Sequence, residues 1–538
     1  MSRHDEREPV VFDLVEDNGP DAGPGEGPDA ADVASPDSPD RRPSRLPRLP
    51  RLSRRTWLVA AAAVTVVVVT VAAVDLVRDQ RRADLMRTSS VGVASLAYPP
   101  EEVWTVPFDV PATVDQSWFM SQQLVIMDGR LVVPPGRAQS FTVDASDGAA
   151  EPAPVGFEDV VAVDPGSGEV AWRVAVGERP VCGPVGYDAS ISTDTLVCVH
   201  GPENEREVLT IAPDGSTRSR AADLAEGEQV FPAPDGMVVR VARIGDAGDA
   251  AEQVECNSMG ACTPAVLTEG RDVLVTAEDA ETGTERWTRT IAFAPVDASN
   301  CQQYDGMGEV TGVDPDQVTV HAGARMVDVD GCGIRGTLSA LGVRLDLAGG
   351  DGSGQAWVTE LGKGAFGVGA GTDTVVVDEA GKTLRTLSGW VQTGAVSPDA
   401  PDDLWFVADG SGFGFDAVRE DGSVAWTDKY SGGVLLVARD VVVVDRGNKV
   451  AGLDRVTGAE LWTWSGEHVL GLARYRTLTD GETVALEHLP QESSGEGLLV
   501  ALDLDTGEQL WDAPLTNTAV AVDGHIVEIT LDGVVGRG

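Results

Sequence analysis

The chain alternates apolar and polar residues over short runs, broken at close intervals by Gly, Asp, Asn or Pro. "VAVDPGSGEVAW", ending at Trp172, shows the pattern. Alternation on both sides of a D-P-G-S-G turn predicts two half-buried strands joined by a tight hairpin. The turn carries its own chemistry. Asp164 can accept a hydrogen bond from the backbone two residues on, and Gly168 can take the positive φ that closes a bulged hairpin. The same register recurs in stretches ending at Trp287, Trp462 and Trp511. Asp164, Asp279, Asp454 and Asp503 each stand eight residues before a Trp, and Gly168, Gly283, Gly458 and Gly507 four before it. A small residue lies two positions ahead of each Asp: Ala162, Ala277, Gly452 and Ala501. Trp172, Trp287, Trp462 and Trp511 fall on the outgoing strand, where a large flat side chain fills the space between neighbouring sheets.

Looser copies occupy the gaps. "REDGSVAW" keeps Gly422 and Trp426 in register; others centre on Gly215 and Gly381, and one near residue 352 precedes Trp357. "GVLLVARDVVVVDRGNKVAGLD", 433–454, reads as three successive strands ahead of a Trp strand. A four-stranded antiparallel unit repeated radially is a β-propeller. Counting turn glycines gives eight blades, with seven as the alternative. "EEVWTV", from Glu101, resembles an isolated Trp strand, and the C-terminal end offers strands with no Trp after them. The first strand is therefore expected to complete the last blade and remove two open edges.

Upstream of the repeats the pattern changes. Trp57–Val74 is eighteen residues without a charge, long enough to cross roughly 30 Å of hydrocarbon as a helix. Seven Arg and no acid lie in residues 41–55 before it, while the basic residues after it are interleaved with Asp. That asymmetry places the N-terminus in the cytoplasm and the repeats outside. A cleavable signal peptide is the rival reading, disfavoured by the 56 residues that precede the apolar run. Residues 17–40 are acidic, Pro/Gly-rich and poor in large apolar side chains, a composition that does not order. The expected organisation is a disordered cytoplasmic tail with an Arg-rich end over 1–56, a plasma-membrane helix over 57–77, a linker over 78–100, and an all-β propeller over 101–538.

Charge and cysteine narrow the chemistry. A net charge of −46 repels phosphate backbones and argues against a nucleic-acid partner. All six cysteines (Cys182, Cys198, Cys256, Cys262, Cys301, Cys332) lie beyond the apolar run. An even number on the outer side reads as disulfides in an oxidising compartment. A short loop favours Cys256–Cys262, while Cys182–Cys198 would link neighbouring strands and Cys301–Cys332 would close the second insertion, with connectivity left open. No CxxC or paired His suggests a metal site.

The D-x-x-[ST]-G-x-x-x-W hairpin resembles the repeat of PQQ-type, quinoprotein alcohol dehydrogenase-like β-propellers, over roughly residues 101–538. The resemblance implies seven or eight blades. Its enzymes imply a quinone cofactor held by an adjacent Cys–Cys disulfide, a Ca²⁺ site and a catalytic Asp. No adjacent Cys pair exists here, and none of those roles maps onto a residue of this chain. No catalytic, cofactor-binding or metal-binding residue is therefore assigned, and no cofactor is expected. The sequence favours a protein- or envelope-binding scaffold, with a ligand-sensing receptor and a PQQ-dependent dehydrogenase as alternatives.

Overall fold

The computed structural model describes residues 77–107, 125–135, 159–184, 191–202, 205–246, 255–256, 262–263, 265–304, 310–347, 356–361, 364–401, 403–408, 414–430, 432–447, 449–466, 472–488, 497–516, 518–530 and 533–538. Among these residues are nine sheets of three to five strands. In chain order they lie at 125–175 (sheet 1, joined by Ile191–Ser192), 181–221 (2), 228–291 (3), 318–339 (4), 358–388 (5), 390–428 (6), 433–464 (7, joined by Ala395–Val396) and 472–515 (8). Sheet 9 combines 518–537 with Glu102–Pro107.

Each sheet packs against the next. Sheets 1 and 2 share Val132, Leu196 and Ile211, and sheets 3 and 4 share Val239, Val275 and Val329. Sheets 6 and 7 share Phe415, Val442 and Leu453. Sheets 9 and 1 close the cycle through Val527, Val534 and Leu131. With a neighbour on both faces, an inner strand such as Val441–Asp445 is buried along its whole length. This is why it reads as a continuous apolar run rather than an alternation. The result is an all-β, propeller-like cycle.

Closure uses both ends of the repeat region. Glu102–Pro107 pairs antiparallel with Gly533–Arg537. Glu101 and Gly538 exchange two backbone hydrogen bonds of 2.9 Å. The described residues thus hold nine sheets where the turn glycines predict eight blades, and the difference has a physical reason. Eight hairpins each carry a turn glycine, but the ninth sheet has no such hairpin. Its third and fourth strands come from opposite ends of the repeats. The copy placed near residue 352 is also corrected. The hairpin of sheet 4 turns at Gly342, while Trp357 lies against Gly369 and the Trp390 ring. "GGDGSG", 349–354, lies outside the described residues.

Residues 78–100, expected as a linker, are built onto the cycle. Residues 77–86 are helical, and Met86 is fully buried. The chain then forms a strap. The Val93 amide donates to Thr479 O at 2.9 Å and the Ala94 amide to Gly524 O at 2.7 Å; the Leu96 amide donates to the Asp480 carboxylate at 2.7 Å. The tail and the apolar run Trp57–Val74 lie outside the described residues. No described helix is long and apolar enough to cross a membrane.

Antiparallel order sorts the connections. Turns joining first to second and third to fourth strands lie on one face, and most are short. The other connections leave from the opposite face, among them the described parts of the long excursions 245–271 and 292–317.

Candidate functional site

The repeat residues assemble into joints between sheets. Asp164 Oδ1 accepts from the Gly166 amide (3.1 Å), the Ser167 amide (2.9 Å) and the Ser167 hydroxyl (2.8 Å). Asp454 does the same with Val456 and Thr457, and Asp503 with Asp505 and Thr506. Asp279 accepts from Thr282 and, through its other oxygen, from Arg286 at 2.8 Å. The hydroxyl of Ser167 holds the Asp164 carboxyl below the usual carboxylate range, helped by the two amides. The Thr457 hydroxyl does so at Asp454, and Arg286 leads at Asp279.

At most joints a Trp docks on the hairpin of the following sheet. The indole N–H of Trp172 donates to Pro213 O at 2.8 Å, Trp287 to Ala340 O at 2.9 Å, Trp426 to Arg455 O at 2.8 Å and Trp462 to Leu504 O at 2.8 Å. The ring lies flat on the turn glycine. A Cβ at Gly458 would sit 2.6 Å from the Trp426 ring, and one at Gly507 2.5 Å from Trp462. The small residues two before the Asp pair directly across from the Trp, as Ala162 does with Trp172 and Gly452 with Trp462. A Cβ on Gly452 would meet the indole at 2.2 Å. Trp104 and Trp511 complete the cycle, donating to Pro165 O at 3.1 Å and Leu96 O at 2.7 Å. Leu96 thus supplies, from the strap, the carbonyl that a ninth hairpin would offer.

The loose repeats are explained by substitutes at the same joint. Arg220 of sheet 2 donates to Ala280 O at 2.8 Å and to Glu278 at 3.0 Å. Val343 of sheet 4 lies against Gly381, and Arg385 of sheet 5 faces Arg419 O at 3.4 Å. Sequence reasoning missed these residues because it searched for Trp. Arg220 lies one position beyond the Trp register.

The opposite face carries a disulfide-pinned module. Cys301 joins Cys332, tying the connection between sheets 3 and 4 to the turn at 332–333. Cys182 joins Cys198 across two strands of sheet 2. Cys256 stands opposite Cys262 in a two-residue ladder; the side chain of Cys256 lies outside the described residues. Arg243 fastens the module by donating to the carbonyls of Arg271 (2.7 Å), Gln317 (3.0 Å) and Cys332 (3.0 Å). Arg271 forms a two-pronged pair with Asp316. Beside the module is a cavity of about 830 Å³ lined by Phe293, Asn300, Thr319, Asp330, Arg335 and Asp346 among others. Arg344 holds Asp346 at 2.7 Å and reaches Arg335 O at 3.2 Å. These two side chains cap the outer edge of three-stranded sheet 4, where a fourth strand would pair. The described residues contain no cluster of three or more metal-ligating side chains.

Residues 343–538 match a family described as "Outer membrane protein assembly factor BamB". Among solved structures, BamB from Moraxella catarrhalis aligns over 82% of this chain and 97% of its own, with 13% identity and a TM-score of 0.36. Quinohemoprotein alcohol dehydrogenase ADHIIG from Pseudomonas putida HK5 aligns over 85% and 80%, at 12% identity and 0.37. The quinohemoprotein alcohol dehydrogenase of Comamonas testosteroni aligns over 85% and 81%, at 12% identity and 0.34. At such TM-scores these likenesses carry no further argument. No curated protein matches the chain.

Proposed function

We propose that this protein is a membrane-anchored, extracytoplasmic scaffold that binds a protein or envelope partner through its long connections. One observation carries the reading. The repeat aspartates, glycines and tryptophans are engaged in the joints, while the described long connections around sheets 3 and 4 lie on the other face, fixed by the Cys301–Cys332 disulfide and by Arg243. A rigid cycle presenting loops needs no reacting groups to bind a partner. The assembly-factor description of the family matched by 343–538 supports a role in protein assembly. The uncharged run Trp57–Val74 and its Arg asymmetry support the anchor and the inward N-terminus.

A photo-crosslinking residue at Trp390 or Tyr430, both exposed on the long-connection face, tests this in intact cells. A discrete protein adduct is expected at these positions and not at Val456 on a hairpin tip. Calorimetry of the purified protein with PQQ and Ca²⁺ supplies the contrary outcome. Saturable PQQ binding with dye-linked alcohol oxidation would replace the scaffold with an enzyme.

A further inference from the structure

The structure points to a lipid surface as the partner of the short-turn face; we propose that this face lies against the bilayer while the long connections point away. The inference rests on reading Trp57–Val74 as an anchor. Only residues 75 and 76 separate that run from the helix at 77–86. In any conformation the chain from Val74 to Val77 reaches at most about 10 Å. The start of the helix is therefore within that distance of the end of the apolar run.

Helix and strap are fixed to one face only. Arg82 pairs with Glu482 in the first turn of sheet 8. The Ser397 hydroxyl lies 3.7 Å from Met86 Sδ. The strap then crosses the first turns of sheets 8 and 9 through Thr479 and Gly524, and ends where Leu96 receives Trp511. Every one of these contacts is on the short-turn side. A tether this short, docked in this way, presents that side to the membrane.

A second observation concerns the same face. At the start of the outer strands, Val103, Leu384, Val424, Leu461 and Leu510 are 46–61% exposed, and the hairpin-tip residue Val456 is also exposed. Single exposed aliphatics are ordinary. Here they recur at the same level of several successive sheets, on the side to which the tether runs. Arg78 and Arg81, exposed on the helix, stand where they can meet lipid phosphates. Carboxylates on the hairpins, Asp505 and Glu508 among them, oppose deep insertion, so the contact is a shallow one at headgroup level. Tethering favours it by keeping the face at high local concentration.

The test uses the full chain reconstituted in phosphatidylcholine–phosphatidylglycerol vesicles that carry a headgroup nitroxide. No described cysteine is free, so a fluorophore can be placed singly through Val456→Cys, Leu510→Cys or Tyr430→Cys, all at exposed positions. Quenching several-fold stronger at 456 and 510 than at 430 is expected. Equal quenching, or stronger quenching at 430, in a chain that resists alkaline carbonate extraction overturns the face assignment alone. Release of the chain by carbonate overturns the anchor, and this inference with it.

Discussion

At the scale of single residues, the joint is a Trp lying on a glycine with its N–H bonded to the next turn. Gly458 has a φ of 69°, so a side chain there meets two penalties: the left-handed backbone, at about 1–2 kcal/mol, and collision with the Trp426 ring. Trp426→Ala should cost on the order of 3–5 kcal/mol. Gly458→Ala should be severely destabilising in the wild type and cost only about 1–2 kcal/mol in the Trp426→Ala background, where the ring is gone. Denaturant midpoints of the two single variants and the double variant measure this coupling; strictly additive effects would mean that the ring and the glycine do not bear on each other. Asp454 gives a prediction in pH. Its folded pKa is depressed, mainly by the Thr457 hydroxyl. The stabilisation is thus complete above the unfolded value, about 3.9, and is lost as pH falls through the lower folded value. Below about pH 4 the wild type should lose thermal stability more steeply than Asp454→Asn, an effect assigned to this carboxylate. Melting curves that stay parallel down to about pH 3 would remove that role.

Among the elements, the hairpin was the most legible. Asp, Ser or Thr, Gly and Trp in fixed spacing specify local hydrogen bonds, a bulge and a positive φ, and these need nothing from the rest of the chain. The bulges fall where the motif requires them, between Ala162 and Val163 and again between Gly452 and Leu453. Sheet 4 was not legible in this way. It has three strands, a hairpin without the motif Asp, and Val343 at the joint, so the glycine-rich stretch near residue 352 resembles the repeat more than the true turn does. The disulfides were legible only as candidates, because loop length restricts cysteine pairing but does not set it. Cys301–Cys332 depends on the connection from sheet 3 folding back to the turn of sheet 4. Arg243 could not have been found from sequence. An Arg within the strand Met237–Ile244 gives no sign that three carbonyls from separate segments will converge on it.

For the whole molecule, closure is the property least visible in any one segment. The Trp of "EEVWTV" suggested that the first strand completes the last sheet. That same split then concealed the ninth sheet from a count of turn glycines. The strap shows a further economy: one stretch supplies the missing hairpin carbonyl at Leu96, covers two turns, and leads to the apolar run. The cycle is accordingly held through consecutive joints between its sheets, and its weakest point should be the one formed by the two ends of the repeat region. Hydrogen exchange of Trp104→Ala tests this most directly. The prediction is loss of protection in Gly533–Arg537 and in the hairpin around Gly168, while the strands of sheets 5 and 6 keep theirs. Unchanged protection at Gly533–Arg537 would contradict closure by the first strand, and with it the closed cycle of joints.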